Sequence, residues 1–189
     1  MARRGYAVAS IDYRLDTTIS NRAVVNAMHD AKAAVRFFRA NASQYRIDTS
    51  TIFIGGESAG CISAFNCGYM DKASEINYPP TLPLAIDNSV EGNSGSIGFN
   101  SSVKAILFFC GGTQTVLNER LIDTLSLESS TNPPILFVHG TADNIIPVAR
   151  SLEVATRATN LNIPNLYYTF NGAGHCPWFF PLSNSWNYL

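Results

Sequence analysis

The chain has 189 residues, enough for one domain with a substantial core, and contains no run of about 18 apolar residues that would cross a membrane as a helix. Its 46% hydrophobic and 14% charged content is that of a globular protein with a buried interior. Thirteen Lys and Arg against fourteen Asp and Glu leave a net charge of −1, which gives no basis for nucleic-acid or anionic membrane binding.

Residues 6–11 (Tyr6-Ala7-Val8-Ala9-Ser10-Ile11) read as a strand. A polar connection, Asp16 to Asn21, follows, with Ser20 or Asn21 as helix N-cap. Val24, Met28, Ala31, Val35 and Phe38 step by four and three, which marks the buried stripe of a helix ending near Ala40. Asn41 to Thr49 is a return loop. A second strand starts at Thr51-Ile52-Phe53-Ile54 and enters Gly55-Gly56-Glu57-Ser58-Ala59-Gly60. The next helix runs to Tyr69 or Asp71. Residues 72–101 form an irregular insertion, with Pro79-Pro80, Pro83 and a Gly/Asn/Ser-rich stretch. Val103 to Phe109 and Pro134 to Val138 are buried-strand runs, Pro147 to Asn160 is helical, and Leu166 to Phe170 is a last strand. This alternation predicts a single α/β domain over residues 1–189, built on a parallel sheet.

Gly56-Glu57-Ser58-Ala59-Gly60 fits G-x-S-x-G, the nucleophile elbow. The serine of this motif sits on a sharp strand-to-helix turn, and glycine is favoured two residues to either side for steric reasons. A serine nucleophile needs a base and an acid to orient it, in the chain order Ser, Asp or Glu, His. Asp143 lies in the loop beyond one strand, within His139-Gly140-Thr141-Ala142-Asp143. His175 lies in the loop beyond the last strand, within Gly172-Ala173-Gly174-His175. Such loops can converge at the carboxyl edge of a parallel sheet.

With these pieces the chain resembles an α/β-hydrolase of the carboxylesterase group, as does Gly5-Tyr6-Ala7-Val8-Ala9-Ser10-Ile11-Asp12-Tyr13-Arg14-Leu15. Glu91-Gly92-Asn93-Ser94-Gly95 resembles secreted bacterial esterase-like proteins in particular. The resemblance implies an α/β-hydrolase-type parallel sheet with flanking helices, N-terminally truncated, with about five strands. It implies Ser58 as nucleophile, His175 as general base, Asp143 as its orienting acid and the Ala59 N–H as an oxyanion donor. No metal or organic cofactor is implied. The substrate would be a small-molecule or polymeric carboxylic ester. The family suggests a secreted or periplasmic protein, although no signal peptide stands in this chain.

The departure from the family is at the start. No His-Gly-Gly-type loop precedes residues 6–11, so the usual second oxyanion donor is missing, and a silent fragment or binding module of the same fold is the rival reading. In the family's strand order a missing strand separates residues 6–11 from the elbow strand. The first strand must shift into that slot, leave a gap, or borrow a strand from another chain; an exposed edge favours a homodimer. A shift would bring an N–H from the loop Asp12 to Leu15 beside the nucleophile.

Other residues carry weaker expectations. Glu57, Trp178 and Phe179 are candidates for shaping the substrate site, with a buried hydrogen-bonded role as the alternative for Glu57 and core packing for Trp178 and Phe179. His139 reads as a structural packing residue, and His29, in the first helix beside Asp30, as a surface or structural histidine. Asp12-Tyr13-Arg14 reads as a loop brace, and Asp123 is a weaker candidate for the triad acid. The four cysteines, Cys61, Cys67, Cys110 and Cys176, match no zinc spacing. Free buried thiols are the reading, with a Cys61–Cys110 disulfide left open.

Overall fold

The computed structural model of the chain describes residues 1–16, 21–76, 89–113 and 126–177. Helix α1 (Asn21–Ala40) and the single turn α2 (Ala42–Tyr45) precede strand β1 (Phe53–Glu57). Helix α3 (Ala59–Tyr69) follows Ser58 directly, and then come strands β2 (Ala105–Phe109) and β3 (Ile135–Gly140). Helix α4 (Val148–Asn160) leads into strand β4 (Asn165–Phe170). The strands lie in the order β1-β2-β3-β4, every pairing parallel. All four carboxyl ends therefore open onto one edge.

The three long helices cover one face of this sheet. A single core cluster joins Val24, Ala31 and Val35 of α1, Phe65 of α3 and Val154 and Ala158 of α4 to Ile106, Phe108, Ile135 and Phe137 of the strands. Aromatic contacts cross it laterally: Phe65 to Phe108 at 5.9 Å, Phe108 to Phe137 at 5.2 Å, Phe137 to Tyr167 at 5.4 Å. The register puts Leu107, Leu136 and Leu166 together on the opposite face, with Phe53 and Tyr168. That face is less covered: Leu166 and Tyr168 are 61% and 57% exposed.

Residues 6–11 depart from the expectation. They form no strand and make no backbone ladder with β1 among the described residues; Tyr6, Val8 and Ile11 stay exposed. An apolar alternation makes a strand only where a partner edge supplies hydrogen bonds, and among the described residues none pairs with the outer edge of β1. The described sheet thus has four strands where about five were expected. Tyr6 touches the edge of β1 through its ring, 6.1 Å from that of Phe53.

Helix α1 is buried on two sides. One side meets α3; the other meets residues 89–101, the described end of the insertion. Lys32 and Arg36, with side chains only 4% and 2% exposed, both pair with Glu91, at 3.1 and 2.9 Å. Arg36 also donates to the carbonyls of Glu91 and Ser94, and His29 Nε2 lies 2.6 Å from the Ser89 carbonyl oxygen. Gly92, at φ +68, packs against His29 so closely that a Cβ would come within 2.8 Å of its ring. Two buried cations with one carboxylate between them fix this stretch of loop to the helix. Burial alone would push the Glu91 carboxyl up, but Lys32 and the hydrogen bonds from Ser101, Lys32 and Arg36 outweigh it and hold it below its ordinary value.

Candidate active site

Strand β1 turns into helix α3 at Ser58, the serine of the G-x-S-x-G stretch. Ser58 has φ 52 and ψ −118, a backbone conformation that is costly for a residue with a side chain and tolerated at functional turns. A Cβ at Gly56 would lie 2.3 Å from the carbonyl carbon of Gly60 and 2.8 Å from the Cys61 nitrogen, so the strand and the first turn of α3 touch through that glycine. The expected symmetry fails at the other glycine. A Cβ on Gly60 would meet nothing within 4 Å. Gly60 contributes backbone to the contact, and only Gly56 must lack a side chain. Ala59 is the first residue of α3, and its N–H lies among the unpaired donors of a helix start.

The two remaining loops are stitched to each other. Thr141 and Ala142 donate their N–H groups to the carbonyls of Phe170 and Ala173, at 3.0 and 2.9 Å. Gly172 N–H returns a bond to Thr141 Oγ1 at 2.8 Å. Gly140 permits this approach, since a Cβ there would lie 2.3 Å from the Gly174 carbonyl oxygen. The result is that His175 Nδ1 lies 2.7 Å from Asp143 Oδ2. The Asp143 side chain is wholly buried, while that of His175 keeps 16% exposure.

An indirect path runs from Ser58 to the loop of His175 along the sheet edge. Its N–H donates to the Phe109 carbonyl at 3.1 Å, the next residue is Cys110, and Cys110 is disulfide-bonded to Cys176, the neighbour of His175. The Ser58 hydroxyl itself takes part in none of the described hydrogen bonds. The disulfide also corrects the cysteine reading: the bridge is Cys110–Cys176, and Cys61 and Cys67 are buried free thiols. Burial pushes the Cys61 thiol well up, against a backbone hydrogen bond from Phe109, and pushes that of Cys67 up to about 12. The bridged pair was not legible because its members meet only once the β2 and β4 loops are side by side. Cys110, Cys176 and His175 present ligand atoms within 4.8 Å of one another, but both sulfurs are spent on the bridge.

The other candidates separate. Glu57 ends β1 beside Phe109, and its Oε2 is buried without a partner among the described residues. Trp178, Phe179 and Asp123 lie outside the described residues. The Arg14 N–H, in the loop proposed as a substitute oxyanion donor, is taken by Asp30 of α1 at 2.8 Å, and the Arg14 guanidinium pairs with the same carboxylate. That loop is a brace on α1, as Asp12-Tyr13-Arg14 suggested. His139 was read as packing. It is fully buried, but its Nε2 lies 3.0 Å from Asp143 Oδ2.

A family model described as BD-FAE matches residues 1–124 of the chain. The chain belongs to the BD-FAE family. It is 28% identical to Esterase LipC of Mycobacterium tuberculosis, over 93% of this chain and 46% of that protein. It is 27% identical to Endo-1,4-beta-xylanase B of Butyrivibrio fibrisolvens, over 91% of this chain and 28% of that protein. Among solved structures it superposes on a truncated form of a carbohydrate esterase from gut microbiota with a TM-score of 0.69 and 23% identity, covering 89% of this chain and 66% of that one. The fold is accordingly that of the carboxylesterase-like α/β-hydrolases. The chain spans less than half the length of the two curated relatives it matches.

Proposed function

We propose that the chain is a serine carboxylic ester hydrolase working through a Ser58–His175–Asp143 triad. The observation that carries this reading is the 2.7 Å contact between His175 Nδ1 and a buried Asp143 carboxylate, in a chain whose Ser58 stands at the strained turn from β1 into α3. Asp143 would hold His175 in the tautomer with a bare Nε2. That nitrogen would take the Ser58 proton as the oxygen attacks the ester carbonyl, with the Ala59 N–H facing the developing oxyanion. The imidazolium would return the proton to the departing alcohol. Water, deprotonated by His175 in the same way, would attack the acyl-enzyme and release the acid and Ser58. No cofactor is part of this scheme.

The substrate class is a short-chain or exposed polymeric ester. The names of the similar proteins, an esterase, a xylanase and a carbohydrate esterase, favour esters carried on polysaccharide. Glu57, Trp178 and Phe179 are the proposed substrate wall. The disulfide supports an oxidising compartment, in line with a secreted or periplasmic protein. The outer edge of β1, unpaired among the described residues, is the proposed seam of a homodimer, which light scattering in solution reads directly.

A second reading, a silent module of hydrolase fold, is favoured by one observation: the Arg14 N–H, in the loop that would supply a second oxyanion donor beside the proposed Ala59, is taken by Asp30. Turnover of p-nitrophenyl acetate separates the two. The ester-hydrolase reading predicts turnover that Asp143→Asn and His175→Gln each lower by on the order of 1000-fold. No turnover by the folded wild-type chain, or equal turnover by the variants, favours the silent module.

A further inference from the structure

Asp143 has more partners than a triad requires. Its Oδ1 accepts two backbone N–H groups, from Ile145 and Ile146, both at 2.9 Å. Its Oδ2 lies near two histidines, His175 Nδ1 at 2.7 Å and His139 Nε2 at 3.0 Å. The same His139 nitrogen lies 2.9 Å from the Ile146 carbonyl oxygen. A carboxylate and a carbonyl are both acceptors, so His139 Nε2 carries the hydrogen and donates to both. The tautomer leaves Nδ1 bare, and Nδ1 is buried with no partner among the described residues. An orphaned buried nitrogen costs stability, and a leucine or phenylalanine would fill this part of β3 without it. What those residues could not supply is an N–H aimed at Asp143.

We propose that His139 is a positioning residue for the triad, its Nε2–H clamping Asp143 Oδ2 and the Ile146 carbonyl so that the carboxylate faces His175. The inference rests on the reading of Ser58, His175 and Asp143 as the catalytic set. Two effects oppose each other. A second donor on Oδ2 draws charge away from the bond to His175, which weakens the base. It also removes the freedom of the carboxylate to swing about its side-chain torsions. Orientation dominates, because Oδ1 is already fixed by two N–H groups and Oδ2 would otherwise have His175, a part-exposed loop residue, as its one described partner.

The test uses His139→Leu and His139→Gln, each alone and with Asp143→Asn. A glutamine amide can place an N–H near where the imidazole Nε2 sits. Expected for His139→Leu is a fall in kcat on p-nitrophenyl acetate of roughly 10- to 100-fold, the worth of one hydrogen bond to a charged group, with KM little changed. Expected for His139→Gln is recovery of most of that loss. In the Asp143→Asn background, His139→Leu should cost little more. If His139→Leu does not fold, a folded His139→Gln with near-wild-type kcat still supports the clamp. The proposal is overturned if folded His139→Gln loses as much kcat as Asp143→Asn, or if the His139→Leu loss adds in full to that of Asp143→Asn. Wild-type turnover by Asp143→Asn alone would instead remove the triad reading on which the clamp stands.

Discussion

Cys176, the residue after His175, is covalently joined to Cys110, the residue after β2, with 5.7 Å between their Cα atoms. The bond ties the loop carrying the proposed base to the strand end that receives the Ser58 N–H. It closes a loop with a sequence separation of 66 residues, for which chain entropy gives about 4 kcal/mol of stabilisation. Replacing both cysteines with serine should lower the unfolding free energy by about 2–5 kcal/mol. It should also slow ester turnover in the fraction that remains folded. Denaturant melts and rates of the double variant check both; an unchanged melt would mean that the bridge does not form in solution.

The two elbow glycines should behave differently. Gly56→Ala forces a Cβ into backbone of α3 that cannot move aside, so a loss above about 3 kcal/mol or a failure to fold is expected. Gly60→Ala adds a methyl group in open space within a helix, where alanine is the better residue, and should stay within about 1 kcal/mol of wild type. Paired thermal melts read the contrast. Equal destabilisation would show that the motif's glycines serve a symmetric steric role after all.

Much of this was legible in the sequence because it is local. The turn at Ser58, helix α1, and the ends of β3 and β4 follow from periodicity and turn chemistry over short windows. The triad order placed Asp143 and His175 in loops that do meet at 2.7 Å. What failed was non-local. The alternation in residues 6–11 says nothing about whether an edge is there to pair with. The Cys110–Cys176 bridge depends on which loops become neighbours. The contact between His139 and Asp143 arises from a tight turn that brings residue 143 back under the end of its own strand, held by the bond from Asp143 N–H to the Gly140 carbonyl at 3.3 Å.

Acid should loosen the loop that Glu91 holds. Its carboxyl lies below its ordinary value in the folded chain, so its stabilising contribution is complete above the unfolded value of about 4.3 and is lost as pH falls through the lowered folded value. Glu91→Gln should cost about 2 kcal/mol near neutrality, less than a fully buried pair because Glu91 is half exposed. The difference in urea midpoint between wild type and Glu91→Gln should shrink as pH falls from about 5 to 3. A difference independent of pH would mean that the ion pairs contribute nothing.

The free thiols should be inert in the native chain. Cys61 and Cys67 are buried, and burial holds both protonated at neutral pH. Iodoacetamide should leave them unmodified until denaturant is added. Rapid native modification of either would contradict the packing of α3 against the sheet.

Direct covalent capture tests whether Ser58 is the activated nucleophile proposed above. A fluorophosphonate probe reacts with an activated serine by forming a phosphorus–oxygen bond and expelling fluoride. The folded chain should be labelled at one site, Ser58, mapped by peptide mass spectrometry. Ser58→Ala should take up no label, and His175→Gln should label far more slowly. Labelling that persists in Ser58→Ala, or a folded wild-type chain that resists the probe, would contradict it.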